Sequence, residues 1–137
     1  MTLEAEAAAT ARGSRTIEAE HLLLALAGRG VAGLDRDTIA TALEDEQRRS
    51  LAAVGVSVED FDTSTVATVA KPKWATSAKH TLELTVRVAL ERGDKRIGGA
   101  HVLLALLRAE AGTVPRALAI AGLDSRELAA AAAAELR

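Results

Sequence analysis

The chain has 137 residues, with 17 Lys or Arg against 19 Asp or Glu, a formal charge of −2, no cysteine, and only two aromatics, Phe61 and Trp74. These numbers exclude a disulfide framework, a thiolate zinc site and a cysteine nucleophile, and the interspersed charges give no basic surface for nucleic acid or an anionic membrane. Alanine and leucine abound while the β-branched and aromatic alternation of strands is absent, so the composition predicts an all-α fold of short helices packed as one domain.

The N-terminal stretch MTLEAEAAATARGSR has neither the basic region nor the unbroken apolar core of a secretory signal. No apolar run is long enough to span a bilayer. The expectation is a cytoplasmic chain. Thr2 can cap a first helix through Arg12, which Gly13 closes in a left-handed conformation. Thr16 is the expected cap of a second helix, Glu18 to Ala27, stopped by Gly28 and Gly30. Asp35 or Asp37 opens the longer segment TIATALEDEQRRSLAAV, which Gly55 closes, and Ser57 begins a fourth, VEDFDTSTVATV.

The stretch AKPKWATSA combines proline, lysines and capping residues and reads as a linker, about residues 70–76. From Thr76 or Ser77 a helix runs to Arg92, with Leu82, Val86, Ala89 and Leu90 on one face, and Gly93 ends it. A further helix covers about Gly99 to Ala109. Thr113 and Pro115 start another, stopped by Gly122, and Asp124 or Ser125 caps an alanine-rich last helix. The total is about eight helices, four in each half.

The halves are copies. A shift of 80 positions aligns Arg12 with Arg92, Gly13 with Gly93, Ile17 with Ile97, His21 with His101, and Leu23 to Leu26 with Leu103 to Leu106. A shift of 67 pairs Leu51, Ala52 and Gly55 with Leu118, Ala119 and Gly122. The first half therefore carries 13 additional residues around GRGVAGLDRDTIA. A repeat of about 1–70 and one of about 76–137 would bury their apolar faces against each other in one pseudo-symmetric domain.

Few residues suggest chemistry. His21 and His101 lack a second histidine or an acid at i+4, where Ala25 and Ala105 stand, so each reads as a backbone-bonded histidine near a helix start rather than a metal ligand. Glu18 and Glu20, or Glu44, Asp45 and Glu46, are neighbours on one helix and do not face each other across a cleft. Ser14, Ser57 and Ser77 occupy capping positions, outside any nucleophile elbow. No P-loop is present. The chain reads as a non-enzyme without cofactors or metal. Trp74, beside Lys71 and Lys73, suits either packing or a protein-binding surface.

The duplicated pattern helix, Gly, Ile-x-x-x-His-Leu-Leu-Leu-Ala-Leu, with WATSAKHTLEL opening the second copy, resembles the N-terminal repeat domain of Clp-type AAA+ unfoldases, in its ClpC-like form, without the ATPase modules. The resemblance implies a non-catalytic helical module that docks substrates, adaptors or cyclic peptide antibiotics. In some relatives a Thr-Glu before the repeated histidine binds phosphoarginine, with helix amides on the phosphate and the acid on the guanidinium. The first copy keeps Glu20 with Ala19 before it, and the second has Gly99 and Ala100. A second family site lies in a groove between the first helices of the two copies. There Trp74, Lys79 and Glu83 match family positions, while the family's leading aromatic segment would have to lie upstream of Met1, so the groove is expected to be half built unless the natural chain starts earlier. The implied partners are Clp substrates, adaptors or a Clp unfoldase, bound by a monomer, with no nucleic acid or membrane. The chain is either a piece of an unfoldase or a free-standing decoy or regulator. A small helical DNA-binding regulator is the alternative reading, which lacks a basic recognition helix.

Overall fold

The computed structural model describes residues 2–55 and 72–136. Seven α-helices occur among them: α1 (Thr2–Ala11), α2 (Ala19–Gly28), α3 (Arg36–Ala53), α4 (Thr76–Arg92), α5 (Gly99–Leu106), α6 (Thr113–Ile120) and α7 (Ser125–Glu135). A 3₁₀ turn, Val31–Gly33, precedes α3, and two two-residue strands, β1 (Thr16–Ile17) and β2 (Lys73–Trp74), form the remaining regular structure. The all-α expectation holds. The expected fourth helix of the first half, VEDFDTSTVATV, lies outside the described residues.

The Leu-rich stretches of the two copies occupy the centre. Every residue of α2 from His21 to Ala27 is buried, as a helix that is apolar all round requires. It packs on α1, α3, α5 and α6 and touches α4, while α5 packs chiefly on α4 and α7. The alanines of α1 at Ala5, Ala8 and Ala9 sit on the one face that helical spacing predicts, and all are buried. Contacts between α3 and α6 join the first half to the second. There the buried Glu46 accepts from Arg116 Nε at 2.9 Å and from the Ser50 hydroxyl at 2.7 Å.

The additional residues of the first half fold into two pieces. At the shift of 67, Glu46 to Ala53 of α3 correspond to the whole of α6, so the part of α3 that precedes Glu46 is new, as is the 3₁₀ turn. The turn packs against α5 and α7 of the other half. Val31 is buried, Ala32 takes a positive φ of 54°, and the Ala32 amide donates to the Glu135 carboxylate of α7.

Two expectations are corrected. The cap of α2 is Glu18, because Thr16 is taken up in β1 and pairs with Lys73. The buried face of α4 is Ala78, Thr81, Thr85, Val88 and Ala89, whereas Val86 and Leu90 are exposed. The two threonines tolerate burial because their hydroxyls donate one turn back, Thr81 to the Ser77 carbonyl at 3.0 Å and Thr85 to the Thr81 carbonyl at 2.8 Å.

Candidate functional site

The start of α2 meets the start of α4 through a small parallel sheet. Thr16 faces Lys73 and Ile17 faces Trp74, held by Lys73 N to Arg15 O at 3.1 Å and Ala75 N to Ile17 O at 3.0 Å. Ile17 is fully buried, and Trp74 packs half-buried against the core. The tryptophan is thus anchored by backbone on both sides, immediately before α4.

Around this sheet the polar groups form a closed set. Ser77 of α4 accepts from the Ala19 amide at 3.0 Å and donates to the Glu18 carboxylate, which also accepts from the Thr16 hydroxyl at 3.1 Å. A single serine therefore satisfies a free amide of α2 and ties the two halves together.

Both repeated histidines act as caps. His21 Nδ1 accepts from the Glu18 amide at 2.8 Å, and His101 Nδ1 accepts from the Gly98 amide at 3.0 Å. An imidazole that accepts at Nδ1 carries its proton on Nε2. At His101 that nitrogen meets Asp94 Oδ2 at 2.8 Å, and Arg92 reaches the same carboxylate at 2.9 Å. The hydrogen bond from His101, with that from Arg92, holds the Asp94 carboxyl below its usual range. Among the described residues, no acid bonds His21 in this way. Burial, reinforced by Arg12, lowers its pKa to about 4.

Glu20 is half-buried on the first turn of α2, and burial raises its pKa. Its carboxylate meets its own backbone amide and is attracted by the Arg12 guanidinium, while Glu18 and Glu46 repel it. One flank is a small polar pocket of about 390 Å³ containing Arg12, Glu46, Gln47 and Arg116. The other is a larger, more apolar groove against α4 and α6.

Lys79 and Glu83 are exposed on α4, one turn apart. With Val86 and Leu90 they form a stripe at i, i+4, i+7 and i+11, where Val86 is 48% and Leu90 74% exposed. Ser77, His80, Thr81 and Leu84 line the groove beside Glu20 instead. The two sets are separated by roughly 140° around the helix axis. The structure thus keeps Lys79 and Glu83 together and places Glu20 elsewhere. Sequence reasoning missed Val86 and Leu90 as surface residues, although their spacing from Lys79 carried the signal. The groove walls on α6 come from a distant segment and left no local mark.

Among the described residues, no helix is long and apolar enough to cross a membrane, and no cluster of three or more metal-ligating side chains occurs. The family model of the Clp repeat N-terminal domain matches residues 1–119 and 73–137. The crystal structure of the N-terminal domain of the caseinolytic protease associated chaperone ClpD from Arabidopsis thaliana superposes with a TM-score of 0.72 at 18% identity, over 98% of this chain and 88% of that one. At that identity the likeness speaks for the fold, in agreement with the duplicated helices described above. With the family model spanning the chain and both copies in register, this protein belongs to the Clp repeat N-terminal domain family.

Proposed function

We propose that the chain is a non-catalytic capture module of the Clp chaperone–protease system, which binds substrates, adaptors or cyclic peptide antibiotics on the outer face of α4. The observation that carries this reading is the exposed stripe Lys79, Glu83, Val86 and Leu90 on α4, the helix that follows the backbone-anchored Trp74. Two large apolar side chains held in solvent in line with a lysine and a glutamate suit a protein-binding surface, and the indole supplies rigid contact area. Glu20 forms a secondary site for a guanidinium, including that of phosphoarginine. With Ala19 in place of a threonine, the phosphate there would have no hydroxyl partner and would compete with Ser77 for the Ala19 amide. In a free-standing chain the same surfaces would make a decoy or regulator that competes for the ligands of a Clp unfoldase.

Titration of the whole chain with a cyclic peptide antibiotic and with a phosphoarginine peptide tests both parts. Trp74→Ala and the double variant Lys79→Ala with Glu83→Ala are expected to weaken the cyclic peptide by about tenfold or more, and Glu20→Ala the phosphoarginine peptide. Melting curves verify that each variant folds. Affinities that match the parent chain in all three variants overturn the assignment.

A further inference from the structure

The duplication supplies an internal comparison just after α1. In the second copy Arg92, Asp94 and His101 form a closed set, in which Asp94 Oδ2 accepts from Arg92 Nε at 2.9 Å and meets His101 Nε2 at 2.8 Å. A shift of 80 residues places Arg12, Ser14 and His21 at the same positions. The arginine and the histidine are kept, and a hydroxymethyl group replaces the carboxylate. Both imidazoles accept at Nδ1 from the amide three residues back, Glu18 in one copy and Gly98 in the other, so both present an Nε2–H donor.

In the first copy these donors lack that acceptor. His21 is buried, and its Nε2 bonds no described residue. Arg12 Nη1 is shut off from solvent without a hydrogen-bond partner among the described residues, while Nη2 donates to Gln47 at 3.3 Å, a weak tether. The Ser14 hydroxyl does not stand in for the acid. It is turned back on Thr16, donating to the carbonyl at 2.7 Å and accepting from the amide at 3.2 Å. Arg12, Ser14 and His21 all line the polar pocket of about 390 Å³. Of the acids there, Glu46 is engaged by Arg116 and Ser50, and Glu20 attracts Arg12 by charge alone.

We propose that this pocket binds a carboxylate of a peptide ligand, seated between the Arg12 guanidinium and His21 Nε2 where the second copy carries Asp94. A buried guanidinium nitrogen and an imidazole N–H that lack partners gain most from a charged acceptor. A carboxylate is the group that already closes the same donor pair in the second copy. Its source is either an acidic side chain or a C-terminal carboxyl group. The pocket contains no residue of α4, so the site is independent of the capture surface proposed above.

NMR titration of the isotope-labelled chain tests this with three probes: acetyl-Gly-Asp-Gly-amide, acetyl-Gly-Gly-Gly as the free acid, and inorganic phosphate. At least one peptide is expected to shift the His21 imidazole and Arg12 guanidinium signals, and the tighter of the two identifies the source. Its Asn or amidated counterpart should bind about tenfold more weakly, and Arg12→Gln should cause the same loss. Glu20→Gln removes a neighbouring negative charge and should tighten binding severalfold. Ser14→Asp supplies the acid from the chain itself, so peptide binding should disappear and the His21 pKa should rise. The amide spectrum reports whether each variant folds. Equal binding of the acid and amide forms, equal affinity of Arg12→Gln and the parent chain, or an unchanged His21 titration in Ser14→Asp each overturns the proposal. Phosphate binding tighter than either peptide overturns the carboxylate as the ligand. Shifts confined to Lys79, Glu83 and Leu90 overturn the pocket while the capture surface on α4 stands. A chain that binds neither peptide overturns the proposal as well.

Discussion

At His21 one hydrogen atom decides the local structure. Its Nδ1 is the acceptor for the Glu18 amide, and protonation would place a donor there and break the cap. The folded pKa of about 4 lies below the ordinary 6.5, so the unfolded chain binds the proton more readily. The contribution to stability is therefore complete above pH 6.5 and is lost as pH falls from 6.5 toward 4, amounting to about 3 kcal/mol at most. Asp94, lowered by His101 and Arg92, acts in the same direction at more acid pH. Glu20, raised by burial, acts in the opposite sense, since its contribution is lost as pH rises through its folded pKa. Thermal melts of the parent chain and of His21→Gln across this range check the assignment. The parent's melting temperature should fall between pH 6.5 and 4, and the variant, less stable at neutral pH, should show a flatter profile. The structural role of both histidines was legible in their repetition. That Glu18 is the cap of α2 was not, because Thr16 is drawn into a sheet by Lys73 from across the chain.

Among the elements, the 3₁₀ turn and α4 show where helix signals stop being sufficient. The glycines around Val31 mark an interruption, but nothing local tells that Val31 turns inward onto the other half. That contact predicts opposite responses at two glycines. Gly99→Ala places a methyl 3.1 Å from Leu26 and Val31 and should destabilise by about 1–3 kcal/mol through overpacking. Gly28→Ala meets only the Arg36 side chain, from 3.7 Å, and should be neutral or stabilise by up to about 1 kcal/mol. Urea denaturation of the two variants measures the difference directly. In α4 the apolar spacing identified a helix and misplaced its face. Leu82, Val86 and Leu90 look like the buried row until Thr81 and Thr85 satisfy their hydroxyls on the helix itself and take the interior.

For the whole molecule, the all-α architecture was legible in the composition and in the helix punctuation. The interlocking of the copies was not, because it depends on pairs far apart in sequence: Glu46 with Arg116, Ile17 with Trp74, Glu18 with Ser77. Ser77→Ala removes both the acceptor for the Ala19 amide and the donor to Glu18. It should cost about 1–2 kcal/mol, and hydrogen exchange should show faster opening at the start of both α2 and α4. Protection lost only within α4 would show that the serine is a local cap and not a tie between the halves.

On the proposed reading, the two faces of α4 would also set how ligands combine. A polypeptide held on Lys79, Glu83, Val86 and Leu90 leaves the Glu20 groove open, since the two lie on different sides of one rigid helix. A chain captured on the outer face would then present its next segment to the groove at an effective concentration on the order of millimolar. Two weak contacts, each readily reversed, then act with the avidity of a strong one. The same chain can be released in steps, one face at a time.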